Sequence, residues 1–174
     1  MRAIETAVVD MLILETERQE DERGSFTRTW SRRLLDARGL DSEVVDCSVA
    51  TNLRAGTLRG MHFQEAPNDE AKTVRCTRGS VWDVAVDLRP ESPTFRRWVG
   101  LTLSPDNLRA FYVPRGCAHG YVTLADDSEV SYLISADYNP ASARGIRWDD
   151  PALGIEWPVE IRYMSDRDAN WPYL

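Results

Sequence analysis

A chain of 174 residues is long enough for one domain with a substantial core and too short for two. With 43% hydrophobic and 28% charged residues it has the balance of an ordinary globular domain, and no apolar stretch approaches a membrane span. A net charge of −7 excludes nucleic acid as the partner, because phosphate recognition needs a basic surface, but it leaves room for one anionic small molecule held by local arginines.

The segment Met1-Arg2-Ala3-Ile4-Glu5 has an early acid and no long apolar core, so no secretory signal is expected. One helix is predicted: Thr29-Trp30-Ser31 starts it, Leu34 and Leu35 give it an apolar side, and Gly39 ends it. Everything after reads as short strands between turns. Val81 to Leu88 places Trp82, Val84, Val86 and Leu88 on one face and closes at Pro90. Trp98 to Leu103 alternates next and ends at Ser104-Pro105, and Leu108 to Val113 runs into Pro114-Arg115-Gly116. Tyr121 to Leu124 stops at Asp126-Asp127, and Glu129 to Ser135 stops before Asn139-Pro140. Many short strands and hardly any helix give an all-β sandwich or barrel in a single domain spanning residues 1–174.

Three cysteines, Cys47, Cys76 and Cys117, are an odd number without paired spacing, which predicts free thiols in a cytoplasmic protein. Lys72 is the only lysine against twenty arginines, a bias that singles out a position needing a compact ammonium. His62 and His119 are the only histidines.

Three clusters carry candidate chemistry. In Leu58-Arg59-Gly60-Met61-His62-Phe63-Gln64, regular alternation would put Arg59 and His62 on opposite faces. If both serve one pocket, Gly60 must mark a bulge or kink. In Pro114-Arg115-Gly116-Cys117-Ala118-His119-Gly120, the Pro-x-Gly-x-x-His pattern resembles the second motif of the cupin superfamily, which implies a small jelly-roll β-barrel. The histidine pair and glutamate of metal-binding cupins are absent, and two histidines do not make the usual ligand set, so no metal is expected. In Glu129 to Ile134, Tyr132 shares its face with Val130 and Ile134, the face that lines a barrel interior. A neutral base, a cation and a phenol facing one interior suit proton transfer next to a carbonyl.

Over most of its length, from about Asp21 to about Trp171, the chain resembles the dTDP-4-dehydrorhamnose 3,5-epimerases. The resemblance rests on Asp21-Glu22-Arg23-Gly24, Leu58 to Gln64, Lys72-x-Val74-Arg75-Cys76, Trp82 to Asp87, and Glu91-Ser92-Pro93-Thr94-Phe95. It continues in Ala118-His119-Gly120, Trp148-Asp149-Asp150-Pro151 and Gly154-Ile155-Glu156-Trp157-Pro158. The family resemblance implies a cupin jelly-roll with minor helical elements and an isomerase that needs no cofactor. It further implies His62 as the base, Asp168 as the carboxylate orienting it, Tyr132 as the acid on the opposite face, and Lys72 near the keto oxygen. Arg23 and Arg59 correspond to diphosphate-holding arginines, while His119, Tyr138, Phe26 and Gln64 complete the expected substrate-binding set. Family members pair as homodimers, which would let Arg23 reach the neighbouring subunit's site.

The chain also departs from the family pattern. Where the family shows Gln-x-Asn-x-Ser, the aligned stretch is Cys47 to Thr51, which lacks both amides; Leu133 follows Tyr132 in place of a lysine; and Asp137 replaces an aromatic residue. The nucleotide and the sugar are therefore open at this level, as is inversion at C3, at C5 or at both. A sugar 3,4-ketoisomerase and a non-enzymatic sugar-binding cupin are the other classes compatible with the barrel.

Overall fold

A computed structural model describes all 174 residues. Thirteen strands and two short helices follow one another: β1 (Arg2–Glu5), β2 (Leu12–Glu15), β3 (Arg18–Asp21), β4 (Gly24–Thr27), α1 (Arg32–Asp36), β5 (Asp46–Asn52), β6 (Leu58–Gln64) and β7 (Lys72–Arg78). The chain continues through β8 (Val81–Asp87), β9 (Trp98–Leu103), β10 (Arg109–Val113), β11 (Cys117–Thr123), β12 (Ser128–Ile134), β13 (Ala143–Gly145) and α2 (Asp166–Ala169). Two antiparallel sheets face each other, one in the order β1-β2-β10-β7-β12-β5 and the other β13-β6-β11-β8-β9. The β3–β4 hairpin forms a third sheet by itself. This is the all-β architecture the strand pattern predicts. No helix is long and apolar enough to cross a membrane.

The space between the sheets is filled from both sides. Val74, Cys76, Phe111, Val113 and Val130 come from the six-stranded sheet, and Val81, Ala85, Leu101, Leu103, Cys117 and Tyr121 from the five-stranded one. Each outer face has a second cover. Leu12, Leu14, Ala110 and Tyr112 pack under Leu35 of α1. Val84, Val86 and Ala118 pack under Ile146 and Leu153 of the C-terminal segment. The alternation read in β8 is thus real, but its Trp82-Val84-Val86 face is the outer one, and the strand is buried on both sides. That double burial explains why Asp83 and Asp87 interrupt an otherwise apolar strand: each sits fully inside and needs a partner.

The helix expected from Ser31 onward exists, shorter than its polar flanks suggest, with Ser31 at its N-cap and Leu35 as its buried residue. The expectation of a single helix is corrected by α2, where the Ser165 side chain caps Asp168 N–H at 3.1 Å. Four residues are too few for periodicity to reveal. β11 also begins earlier than Tyr121, at Cys117, because the Pro114-Arg115-Gly116 turn ends there.

Candidate active site

The site begins with an irregularity in β6. Along the β6–β11 ladder His119 pairs with His62 while Tyr121 pairs with Arg59, so the register slips between them. Gly60 takes φ +141 at that point, and a Cβ on it would stand 2.6 Å from Gly120 Cα. Two glycines therefore let the strands approach where side chains would hold them apart. The result is the one required by the sequence argument: Arg59 and His62 line the same cavity instead of opposite faces.

That cavity, about 670 Å³, lies between the two sheets. The five-stranded sheet contributes Arg59, His62 and His119, and the six-stranded sheet contributes Ser48, Lys72, Tyr132 and Ile134. The C-terminal segment closes it with Tyr163, Ser165, Arg167 and Asp168. Leu58 N–H donates to the Tyr163 carbonyl at 2.8 Å, which fixes this segment beside β6. A volume of this size holds a sugar with part of its substituents.

Asp168 is buried, and its Oδ1 stands 2.6 Å from His62 Nε2, while Oδ2 accepts the Gly60 N–H at 3.4 Å. Burial by itself would raise this carboxyl; the hydrogen bond and charge of His62 and the Gly60 N–H outweigh it and hold Asp168 below the usual carboxylate range. His62 is half exposed to the cavity, with Trp171 edge-on at 6.2 Å between ring centres. A partly exposed imidazole held by an ionised carboxylate has the arrangement of a general base.

Across the cavity, Tyr132 sits edge-on to His119 at 6.0 Å. Burial, with Tyr121 and Asp83 nearby, pushes its phenol well above the usual value, so it is a protonated donor. His119 is buried and bound to Asp83, Nε2 to Oδ1, at 2.9 Å. Lys72 Nζ lies 2.8 Å from Glu70 Oε1, both side chains nearly enclosed. Arg59 donates through Nε to Asn52 Oδ1 at 2.8 Å and through Nη2 to the Thr51 carbonyl at 3.2 Å, so its charge has no acid to neutralise it. Arg167 stacks over Trp171 at 4.8 Å, also without an acidic partner.

The sequence-predicted residues divide into three groups. His62, Asp168, Tyr132, Lys72, Arg59 and His119 meet in this one cavity. Tyr138 and Gln64 line an adjoining annex of about 220 Å³ that shares His62 and Lys72 with it. Gln64 spends its amide on two loops, donating to the Asn68 carbonyl between β6 and β7 and to the Asp137 carbonyl before β13, and accepting Asn139 N–H, so it holds the Tyr138 loop in place. Arg23 and Phe26 are brought to neither: they lie on the exposed β3–β4 hairpin, Arg23 paired with Asp21 at 2.6 Å. Strand β5, where the family pattern fails, faces the cavities with Asp46, Ser48 and Ala50 rather than with Cys47, Val49 and Thr51. Sequence reasoning did not assign roles to Asp83, Glu70, Asn52, Tyr121 or Arg167. An acid inside the apolar run Val81 to Val86 was the available signal for Asp83, and Glu70 next to the sole lysine was the signal for that pair.

The sequence pattern of the dTDP-4-dehydrorhamnose 3,5-epimerase family matches residues 5–174. The dTDP-4-dehydrorhamnose 3,5-epimerase of Methanothermobacter thermautotrophicus is 41% identical over 177 residues, covering 99% of this chain and 94% of its own. The crystal structure of dTDP-4-dehydrorhamnose 3,5-epimerase from Elizabethkingia anophelis superposes with a TM-score of 0.96 at 37% identity, covering 99% of this chain and 96% of that one. ChmJ, a 3′-monoepimerase from Streptomyces bikiniensis, superposes with a TM-score of 0.88 at 35% identity, covering 97% of this chain and 85% of that one. With a match that spans nearly every residue and a barrel superposing along its whole length, this chain belongs to the dTDP-4-dehydrorhamnose 3,5-epimerase family.

Proposed function

We propose that the chain is a dTDP-4-dehydro-6-deoxyglucose 3,5-epimerase, which inverts C3 and C5 of the nucleotide-linked 4-keto sugar. The observation that carries this reading is the pairing of His62 with buried Asp168 on one wall of a cavity whose other wall holds Tyr132. The 4-ketone acidifies the hydrogens at C3 and C5. His62 takes one, the electron pair moves onto the C4 oxygen as an enolate, and Tyr132 returns a proton from the opposite face. Lys72 and His119 are the groups available to the developing oxyanion, where donors act more strongly in the transition state than on the ground-state ketone. Arg59 and Arg167 supply the uncompensated positive charge a diphosphate needs. The net reaction moves no electrons, so it calls for no redox cofactor.

The same reading accounts for Arg23 and Phe26 through a homodimer, in which each hairpin serves the partner subunit's cavity. Support comes from the hairpin itself: its two strands pair only with each other, and Phe26 is 69% exposed on it. The free thiols Cys47, Cys76 and Cys117 agree with a cytoplasmic protein.

The direct test is incubation with dTDP-4-keto-6-deoxyglucose in heavy water, followed by proton NMR, with His62→Ala alongside. Deuterium entering at both C3 and C5 with the wild type, and at neither with the variant, is the expected outcome. Exchange at one carbon would make it a single-centre enzyme, and no exchange would overturn the assignment of substrate.

A further inference from the structure

Tyr121 lies behind the cavity wall, 1% exposed, in an otherwise apolar cluster with Val74, Val81 and Phe111. A phenol hydroxyl at that depth is costly unless paired. It donates to Asn52 Oδ1 at 3.2 Å, and the same oxygen accepts Arg59 Nε at 2.8 Å. Asn52 is itself buried, and its Nδ2 is committed to the Ser128 and Ala50 carbonyls, which turns its oxygen toward Tyr121 and Arg59. Tyr132, on the facing sheet, packs against the cluster containing Tyr121 and stands edge-on to His119, which precedes Tyr121 by two residues on the same face of β11. A phenylalanine would fill the same volume; the hydroxyl and its buried asparagine answer to something other than packing.

We propose that Tyr121 is a positioning residue for the proton return: its hydroxyl, held on Asn52 Oδ1 in the resting site, turns onto the phenolate that Tyr132 becomes, while Asn52 Oδ1 keeps Arg59. This rests on the epimerase reading above. In that step the Tyr132 O–H bond breaks, its proton forms the new C–H bond, and the enolate pair restores the C4 carbonyl. The electron pair left on the Tyr132 oxygen accepts the Tyr121 O–H, whose proton stays on Tyr121, and Asn52 Oδ1 keeps Arg59. Tyr132 then regains a proton from water as His62 releases one, so no proton is gained or lost overall.

The test is Tyr121→Phe in the heavy-water assay, reading kcat, KM and the ratio of deuterium in unepimerised sugar to deuterium in inverted sugar. Loss of a hydrogen bond to a charged oxygen is expected to lower kcat about ten- to a hundredfold, with KM changed by less than about twofold. The ratio is expected to rise, because His62 still removes protons and returns solvent deuterium to the original face. Asn52→Ala is the companion: it should raise KM by releasing Arg59 and leave the ratio near the wild-type value. Wild-type kcat and ratio in Tyr121→Phe overturn the proposal, as does a lowered Tm with an unchanged ratio, which would make Tyr121 a packing residue. If Tyr121→Phe does not fold, a raised ratio in Asn52→Ala overturns it. Absence of exchange in the wild type overturns the epimerase reading along with it, whereas exchange lost only in His62→Ala separates the two.

Discussion

His62 and His119 face each other across the β6–β11 ladder, and each is bound to its own buried carboxylate, Asp168 at 2.6 Å and Asp83 at 2.9 Å. Burial raises both acids, but the balance against their partners comes out in opposite directions. At Asp168 the His62 contacts and the Gly60 N–H prevail and keep it ionised. At Asp83, burial dominates and raises the carboxyl despite His119 and the nearby charge of Lys72, and its Oδ2 has no partner at all. The acid held below the usual carboxylate range belongs to the histidine that is open to the cavity, which is where the proposed base needs support.

Asp168→Asn should therefore lower kcat by about 10²- to 10⁴-fold, the range of a general base, because an amide holds the imidazole in the wrong tautomer or leaves it unsupported. Asp83→Asn should cost distinctly less in kcat, since it removes a buried charge already disfavoured. Initial rates of both variants by NMR, with circular dichroism to establish folding, decide between them. Equal losses would sink the distinction drawn between the two histidines.

Lys72 calls for a double variant. Lys72→Met alone leaves Glu70 buried without its cation, an arrangement that costs about 3–5 kcal/mol of stability. Adding Glu70→Gln removes the orphaned charge. The double variant is expected to recover most of the Tm lost by the single one while its kcat stays about 10²- to 10³-fold down, the cost of losing one oxyanion donor. Recovery of both Tm and kcat would mean that Lys72 serves the fold only.

Much of the barrel was legible because its strands carry local signals. β9 runs over the residues its alternation predicts, Trp98–Leu103, and β12 nearly so. Gly60 was legible too, since Arg59 and His62 cannot share a pocket in a regular strand, and the register slip is found there. What escaped depends on pairings distant in sequence. The Tyr121–Asn52 contact spans 69 residues. Which face of β8 looks inward is decided by Ile146 and Leu153, which cover the other one. α2 was signalled only by Ser165 three residues ahead of Asp168, a cap with no apolar periodicity behind it.

Asp87 offers a prediction about stability in acid. Burial would raise this carboxyl, but hydrogen bonds from Arg89, Ser92 and Thr94 outweigh it and bring it down to about 2. A carboxyl depressed in the folded state contributes stability that is complete above its unfolded value of about 3.9 and is lost as pH falls toward 2. The contribution is on the order of 2 kcal/mol. Urea denaturation from pH 5 down to pH 2 should show wild-type stability falling through this window. Asp87→Asn should be less stable at pH 5 and should approach the wild type at pH 2. A constant difference across the range would mean that the carboxylate charge is not what matters.

The hairpin can be tested by complementation. Arg23 lies on a two-stranded sheet that lines a surface depression separate from its own chain's cavity, with its side chain 85% exposed. On the proposed homodimer reading, Arg23→Ala and His62→Ala should each be strongly impaired when expressed alone, one for want of the proposed diphosphate contact and the other for want of the proposed base. Co-expressed with different affinity tags and purified through both, the mixed dimer holds one cavity with His62 intact. If the hairpin crosses to the partner subunit, that cavity receives Arg23 from the His62→Ala chain, and about half the wild-type activity per dimer should return. If the hairpin serves its own chain, each cavity carries one defect and activity stays at the level of the Arg23→Ala subunit. Light scattering on the purified wild type supplies the companion result, since a monomer at assay concentration would rule out exchange of hairpins however the mixture behaves.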